Sequence, residues 1–168
     1  MDLRNVTGLI VSGERSGYSV EYNALQSAKL VNALLDAVGF DAAILPLEGA
    51  WEGTREQSYL VVPVQSITGK PLEYRDLLYK VIAIASEFDQ DAVMSVHDGS
   101  SYLIELPPVP RHLSREARMQ QLYGIMSYDK GDTLLSDPLT VWEAEEGAAR
   151  IYGSYTKIGN KYYVMLPE

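Results

Sequence analysis

An α+β domain, with two helices on one face of a mostly antiparallel sheet, is what this sequence predicts. Three observations carry it. Two segments repeat apolar residues at helical spacing, short β-like runs flank both of them, and turn residues separate the runs. The chain has 168 residues, 46% of them apolar and 22% charged. That is ordinary globular composition, and enough chain to bury about two-thirds of its unfolded surface.

Gly8 to Val11 reads as a first strand, and Ser12-Gly13-Glu14-Arg15-Ser16-Gly17 as a polar loop behind it. Asn23 then reads as a helix N-cap, with Gln26 three residues on in a variant of the capping box. Leu25, Ala28, Val31, Leu35 and Val38 recur at three and four residues, one buried stripe of an amphipathic helix that Gly39 ends. Ala42 to Leu45 and Tyr59 to Val62 form a hairpin, joined by a long Gly-punctuated connection from Glu48 to Gln57 rather than a tight turn.

Thr68-Gly69-Lys70-Pro71 marks a loop, with Pro71 in the first turn of a second helix. Its buried face is Leu77, Leu78, Val81, Ile82, Ala85 and Phe88, and Asp89-Gln90-Asp91 closes it. Ala92 to Val96 is strand-like, and the Asp98-Gly99 turn signal returns the chain through Tyr102 to Leu106. The order β-α-β-β-α-β plus a returning strand is the ferredoxin-like split β-α-β arrangement. Residues 1–108 are its core in this reading. Residues 109–168 are a C-terminal extension of the same domain, behind the Pro107-Pro108-Val109-Pro110 interruption. The extension holds a short helix from Ser114 to Tyr123 capped by Ser114, and strands at Leu139–Ala144, Arg150–Thr156 and Lys161–Leu166. The last two strands flank Gly159-Asn160.

Composition excludes several function classes. There is no cysteine, hence no disulfide scaffold and no thiolate chemistry. The two histidines, His97 and His112, are far apart and no metal-binding spacing occurs, so no metal site is expected. Neither a phosphate-cradling glycine motif nor a nucleophile elbow is present. A net charge of −9 argues against nucleic acid as a partner. It suits a cationic small molecule, or mimicry of the charge of DNA, against which the 14 Lys and Arg spread along the chain speak. The N-terminus lacks signal-peptide features, and no apolar run approaches a membrane span. A soluble cytoplasmic protein without membrane partners is expected.

Among the residues, Glu56 draws notice as a carboxylate at the start of an apolar strand, where a charge is costly unless paired or met by a ligand. The plain alternative is an ion pair with Arg55 or Arg15. Trp51, in the loop before Glu56, is the aromatic best placed to line a pocket, against the alternative of core or interface packing. Arg111, Arg115 and Arg118 read as a solvated face rather than a cationic stripe.

Four stretches together resemble the phage-encoded S-adenosylmethionine (SAM) lyases, formerly called SAM hydrolases. They are VSGERS at Val11 to Ser16 with Asn23 behind it, GAWEGTRE at Gly49 to Glu56, SEFDQDAVM at Ser86 to Met94, and VWEAEEGAARIYGSYT at Val141 to Thr156. The resemblance spans nearly the whole chain at low identity. It implies cofactor-independent cleavage of SAM to 5′-methylthioadenosine and L-homoserine lactone, as a counter-defence against SAM-dependent restriction and methylation in the host cytoplasm. It also implies a homotrimer with pockets between subunits. By residue matching, Glu56 would be the key acidic residue and Gln90 the second pocket residue. Ser12, Arg15 and Ser16 would line the pocket near the exit of the first strand. For Gln90 the alternative is a helix-terminal residue facing water. The competing function is a non-catalytic protein of the same fold that sequesters a nucleotide-like ligand, or inhibits a host restriction or SAM-synthesis enzyme.

Overall fold

The computed structural model describes residues 1–15, 17–39, 41–64, 73–88, 90, 92–106, 113–114, 116–118, 120–121 and 138–167. Its eight described strands form one closed antiparallel barrel: β1 (Thr7–Ser12), β2 (Ala42–Trp51), β3 (Thr54–Pro63), β4 (Ala92–His97), β5 (Ser100–Glu105), β6 (Leu139–Ala144), β7 (Tyr155–Ile158) and β8 (Lys161–Pro167). Around the barrel they run β1-β3-β2-β7-β8-β6-β5-β4, and β4 pairs with β1 to close the ring. The helices are α1 (Val20–Val38), α2 (Tyr74–Glu87) and α3 (Glu146–Tyr152).

The barrel overturns the expected open ferredoxin-like sheet. The elements do follow one another as β1-α1-β2-β3-α2-β4-β5, and β4, β1, β3 and β2 do lie side by side. That group does not end in free edges, because β5, β6, β8 and β7 carry the hydrogen-bond ladder from β4 round to β2. Closure removes the unpaired edges that an open sheet would leave. Two of its seams join strands far apart in the chain and are short: Ser100↔Thr140 with Ser101↔Leu139 between β5 and β6, and Glu48↔Lys157 to Ala50↔Tyr155 between β2 and β7. Pro46, which has no N–H to give, sits where β2 faces no β7 partner.

Alternation along the strands divides the protein into layers. Leu9 and Val11 of β1, Val61 of β3, Val93 of β4 and Ile104 of β5 face outward and are buried under α1 and α2. Leu47, Leu60, Val96, Val141, Tyr163 and Met165 fill the barrel interior. A third group, Ala50, Tyr155, Tyr162 and Val164, is covered by Ala149 of α3.

Local corrections accompany the global one. The β2–β3 connection is a two-residue turn, Glu52-Gly53, with φ of 49° and 85°, and not a long loop. Both residues lie in the left-handed region that twist-matched hairpin turns require. The cap of helix α1 lies four residues before the expected one. Ser19 caps it, its Oγ accepting from the Tyr22 N–H at 3.1 Å. Its buried face is Ser27, Leu30, Leu34 and Val38, which leaves Leu25 and Leu35 about half exposed. The expected strand at 150–156 is instead α3 followed by β7. Glu146 and Arg150 pair one helical turn apart at 2.8 Å, and Gly153 ends the helix. Ser114 caps a short helical segment, accepting from the Ala117 N–H at 3.2 Å. Arg118 on that segment is buried, with its Nη1–H donating to the Ser86 carbonyl at 3.3 Å, so it closes the end of α2 rather than facing water. The Thr68–Pro71 and Pro107–Pro110 segments, with Arg111 and Arg115, lie outside the described residues.

The two ends of the barrel differ. A 3-10 turn, Leu3–Asn5, plugs one, with Leu3 buried against the interior cluster. Outside it Arg4 pairs with Asp2 at 2.7 Å and Glu143 at 3.4 Å, and Lys161 pairs with Glu143 at 3.5 Å. Among the described residues the other end carries no such plug.

Candidate functional site

This end holds a cavity of about 760 Å³ that spans the rim and reaches into the barrel, within the range of small-molecule sites. An eight-stranded barrel has an interior just wide enough to be filled by side chains or to hold one small ligand. Here it is filled at the plugged end and empty at the other. Strand register orders the lining from mouth to floor. Down β3 the inward residues run Glu56, Ser58, Leu60, each step about 6.6 Å. Gly49 lies opposite Glu56, and Ser12 opposite Ser58. One step further in, Ile10 is matched with Met94, and Met94 with Leu103. The mouth is therefore acidic and hydroxylic (Glu14, Glu56, Ser12, Ser58), and the inner wall is aliphatic and thioether (Ile10, Met94, Leu103, Met165).

Glu56 is the unusual group. No hydrogen bond or ion pair joins its carboxyl to another described residue. Arg55 pairs instead with Glu48, at 3.9 Å, on the other face of the hairpin. Burial, with the nearby charge of Glu14 as the smaller cause, raises the Glu56 pKa to about 7. Gly49 leaves the space beside it open. A Cβ there would stand 3.1 Å from Ser58 Oγ and 3.8 Å from Glu56 Cγ.

Glu14 ties the site together. Past the end of β1, the backbone of Gln57 has lost its strand partner. The Ser12 hydroxyl donates to the Gln57 carbonyl at 2.9 Å, and the Glu14 carboxylate accepts from the Gln57 N–H at 3.2 Å. Two side chains thus continue the β1–β3 ladder. Glu14 also donates its N–H to Ser12 Oγ at 3.1 Å and accepts the Gln90 side-chain amide at its carbonyl at 3.0 Å. Asn23 clasps Arg15 from both sides: its Oδ1 accepts the Arg15 N–H at 3.1 Å, and its amide donates to the Arg15 carbonyl at 3.0 Å.

The cavity thus brings together Ser12, Arg15, Trp51, Glu56 and Gln90 from three separated stretches of sequence. Ser16 lies outside the described residues. Trp51 stands half exposed at the rim rather than in a core, beside a hairpin tip tied down by Gly53 N–H donating to the Gly153 carbonyl at 2.9 Å. Gln90 does not face water: its amide holds the β1–α1 loop. Glu14, Ser58, Gly49 and Thr156 were not singled out from the sequence. Glu14 sits inside the VSGERS stretch, but nothing in its spacing distinguishes it from a loop carboxylate in water. Among the described residues there is no cluster of three or more potential metal ligands, and no helix is long and apolar enough to cross a membrane.

No protein-family model matches this chain, and no curated protein does.

Proposed function

We propose that the barrel cavity binds SAM and cleaves it to 5′-methylthioadenosine and L-homoserine lactone. The observation that carries this reading is a ligand-sized cavity with an unpaired carboxyl at its mouth and an apolar interior. It is supported by the resemblance of the four stretches that line or frame that cavity.

In the reaction an oxygen of the substrate's own carboxylate attacks its γ-carbon. A C–O bond forms, the C–S bond breaks, and the bonding pair leaves with sulfur. A sulfonium and a carboxylate are consumed together, and no proton moves. A protein anion against the sulfonium would stabilise the starting state more than the transition state and slow the step. The α-ammonium keeps its charge throughout, so an anion can hold it without that penalty. The favourable orientation therefore puts the ammonium at Glu56 in the mouth and the sulfonium inward, beside Ile10, Met94, Leu103 and Met165. Excluding water there costs the zwitterion more than the less charged transition state, and a folded-back methionine tail supplies near-attack geometry. Glu56 positions substrate in this scheme and is not a general base. The reading carries with it a host-cytoplasmic location and a homotrimer, for which light scattering of the purified chain is the check.

Incubation of the purified protein with SAM and a chelator, followed by chromatography, tests the reaction. Methylthioadenosine with homoserine lactone is the expected result, and replacing Glu56 by Gln should reduce turnover at least a hundredfold, about 2.7 kcal/mol of positioning. Intact SAM after binding would make the protein a sequestering one, and full cleavage by the Gln variant would remove Glu56 from the site.

A further inference from the structure

Glu14 and Glu56 lie side by side at the mouth of the cavity, and the structure treats them oppositely. The Glu14 carboxylate is fixed in place by accepting the Gln57 N–H at 3.2 Å. Its backbone is fixed as well, by Ser12 on one side and Gln90 on the other. Glu56, one residue from Gln57 on the same strand, meets no donor among the described residues and looks across at the bare Cα of Gly49. The other ionisable groups lining the cavity around it are Arg15 from the β1–α1 loop, Glu52 at the hairpin tip, Glu105 on β5, and Tyr152 and Tyr155 from α3 and β7. Three of these neighbours are carboxylates once Glu14 is counted, and Arg15 is the cation among them.

We propose that Glu14 is a positioning residue acting through Glu56: together with burial, its anchored carboxylate favours the proton-bearing form of the Glu56 carboxyl, so a cationic ligand enters in exchange for a proton. The exchange balances. The neutral acid and a monocation become an ion pair, and one proton leaves to solvent. Removing water and adding an anion both hold the proton on Glu56, and a bound ammonium reverses the second of these. The raised titration of Glu56, to about 7, agrees with this arrangement. The device has a use. A mouth with two fixed anions would hold any cation from the cell, whereas one that opens its second charge only to a well-placed ammonium discriminates by geometry. The first part of the inference stands on the protein alone, and the second rests on the proposed SAM reading.

The two parts are tested separately. Carbon-detected NMR of the side-chain carboxyls of the full chain follows Glu56 directly, without ligand. The native midpoint should lie near 7. In Glu14→Gln, whose amide oxygen can still accept the Gln57 N–H, it should fall by about one on the pH scale while staying above the ordinary glutamate value, because burial remains. Glu14→Asp, which keeps the charge, should retain a raised midpoint. A Glu56 midpoint that is ordinary in the native chain, or unmoved in Glu14→Gln, overturns the coupling. For the exchange, sinefungin serves as a probe that carries an ammonium in place of the sulfonium and is not cleaved. Calorimetry at pH 6 in two buffers of different ionisation enthalpy should register close to one proton released per molecule bound, and almost none at pH 9. Binding without proton release overturns the exchange. Failure of sinefungin to bind, with the titration behaving as stated, overturns the SAM reading and the exchange together and leaves the coupling standing.

Discussion

The two ends of the barrel are built from the same strands and handle charge in opposite ways. At the plugged end Asp2 pairs with Arg4, and Glu143 with Arg4 and Lys161, all of them at the surface. The Arg4 guanidinium holds the Asp2 carboxyl down at about 2. At the open end Glu56 has no partner among the described residues, and burial lifts it to about 7. A chain that can satisfy carboxylates so readily at one end has the means to do so at the other. Arg55 is next to Glu56 in sequence, yet β-strand alternation sends it to the opposite face. The unmatched group therefore belongs to the design of the cavity and is explained by a ligand better than by packing. The plugged end stabilises the protein, and the open end gives up some of that stability.

The largest effect that could break this comparison is at the plug. Leu3 is fully buried among Val96, Val141 and Tyr163, so Leu3→Ala should cost about 3 kcal/mol in urea unfolding and leave the proposed SAM cleavage per folded molecule unchanged. Lost activity in the folded variant would mean that the two ends are not separable. Next comes Glu56. A carboxyl whose folded pKa is raised above its unfolded value costs stability above the unfolded value. The native chain should thus lose stability relative to Glu56→Gln as pH rises from about 4.5 to about 7, and the difference should then level off. Allowing for solvent at the mouth, the total is on the order of 2 kcal/mol. Parallel stability curves for the two proteins across that range would show that Glu56 is satisfied after all.

Much of this was legible in local sequence and some of it was not. Leu139–Ala144 was read as the strand it forms, and Lys161–Leu166 falls one residue short of β8, because alternation and turn residues are local signals. The α1 stripe was read one step round the helix. Leu25, Ala28, Val31, Leu35 and Val38 repeat as well as Ser27, Leu30, Leu34 and Val38 do, and only the position of the barrel decides which face is covered. The Arg150–Thr156 strand failed for a related reason: Ile151 and Tyr152 are strand formers, but Glu146, Ala148, Ala149 and Arg150 prefer helix and Gly153 stops it. Closure itself was out of reach, since it rests on the short seams β5–β6 and β2–β7, whose partners are far apart in the chain and carry no local mark. Glu56 was visible because a carboxylate opening an apolar strand is locally odd. Glu14 was not, because its partners come from β3 and the end of α2.

The smallest effect sharpens the comparison most. The plugged half also contains one buried polar group with no partner among the described residues, the Tyr163 hydroxyl. If an unpaired buried group always marked function, Tyr163 would rank with Glu56. Two features separate them. Tyr163 is fully buried within the filled interior cluster and is not among the residues lining the cavity, and a neutral hydroxyl costs far less to bury than a carboxylate. Tyr163→Phe removes a group that is desolvated on folding and gains nothing there, at almost constant volume. It should therefore stabilise the protein by about 1 kcal/mol, at every pH, with SAM turnover unchanged. Glu56→Gln should instead stabilise only above the acid range and reduce the proposed turnover at least a hundredfold. A Tyr163→Phe variant that loses activity would extend the site through the barrel floor and erase the division between its two ends.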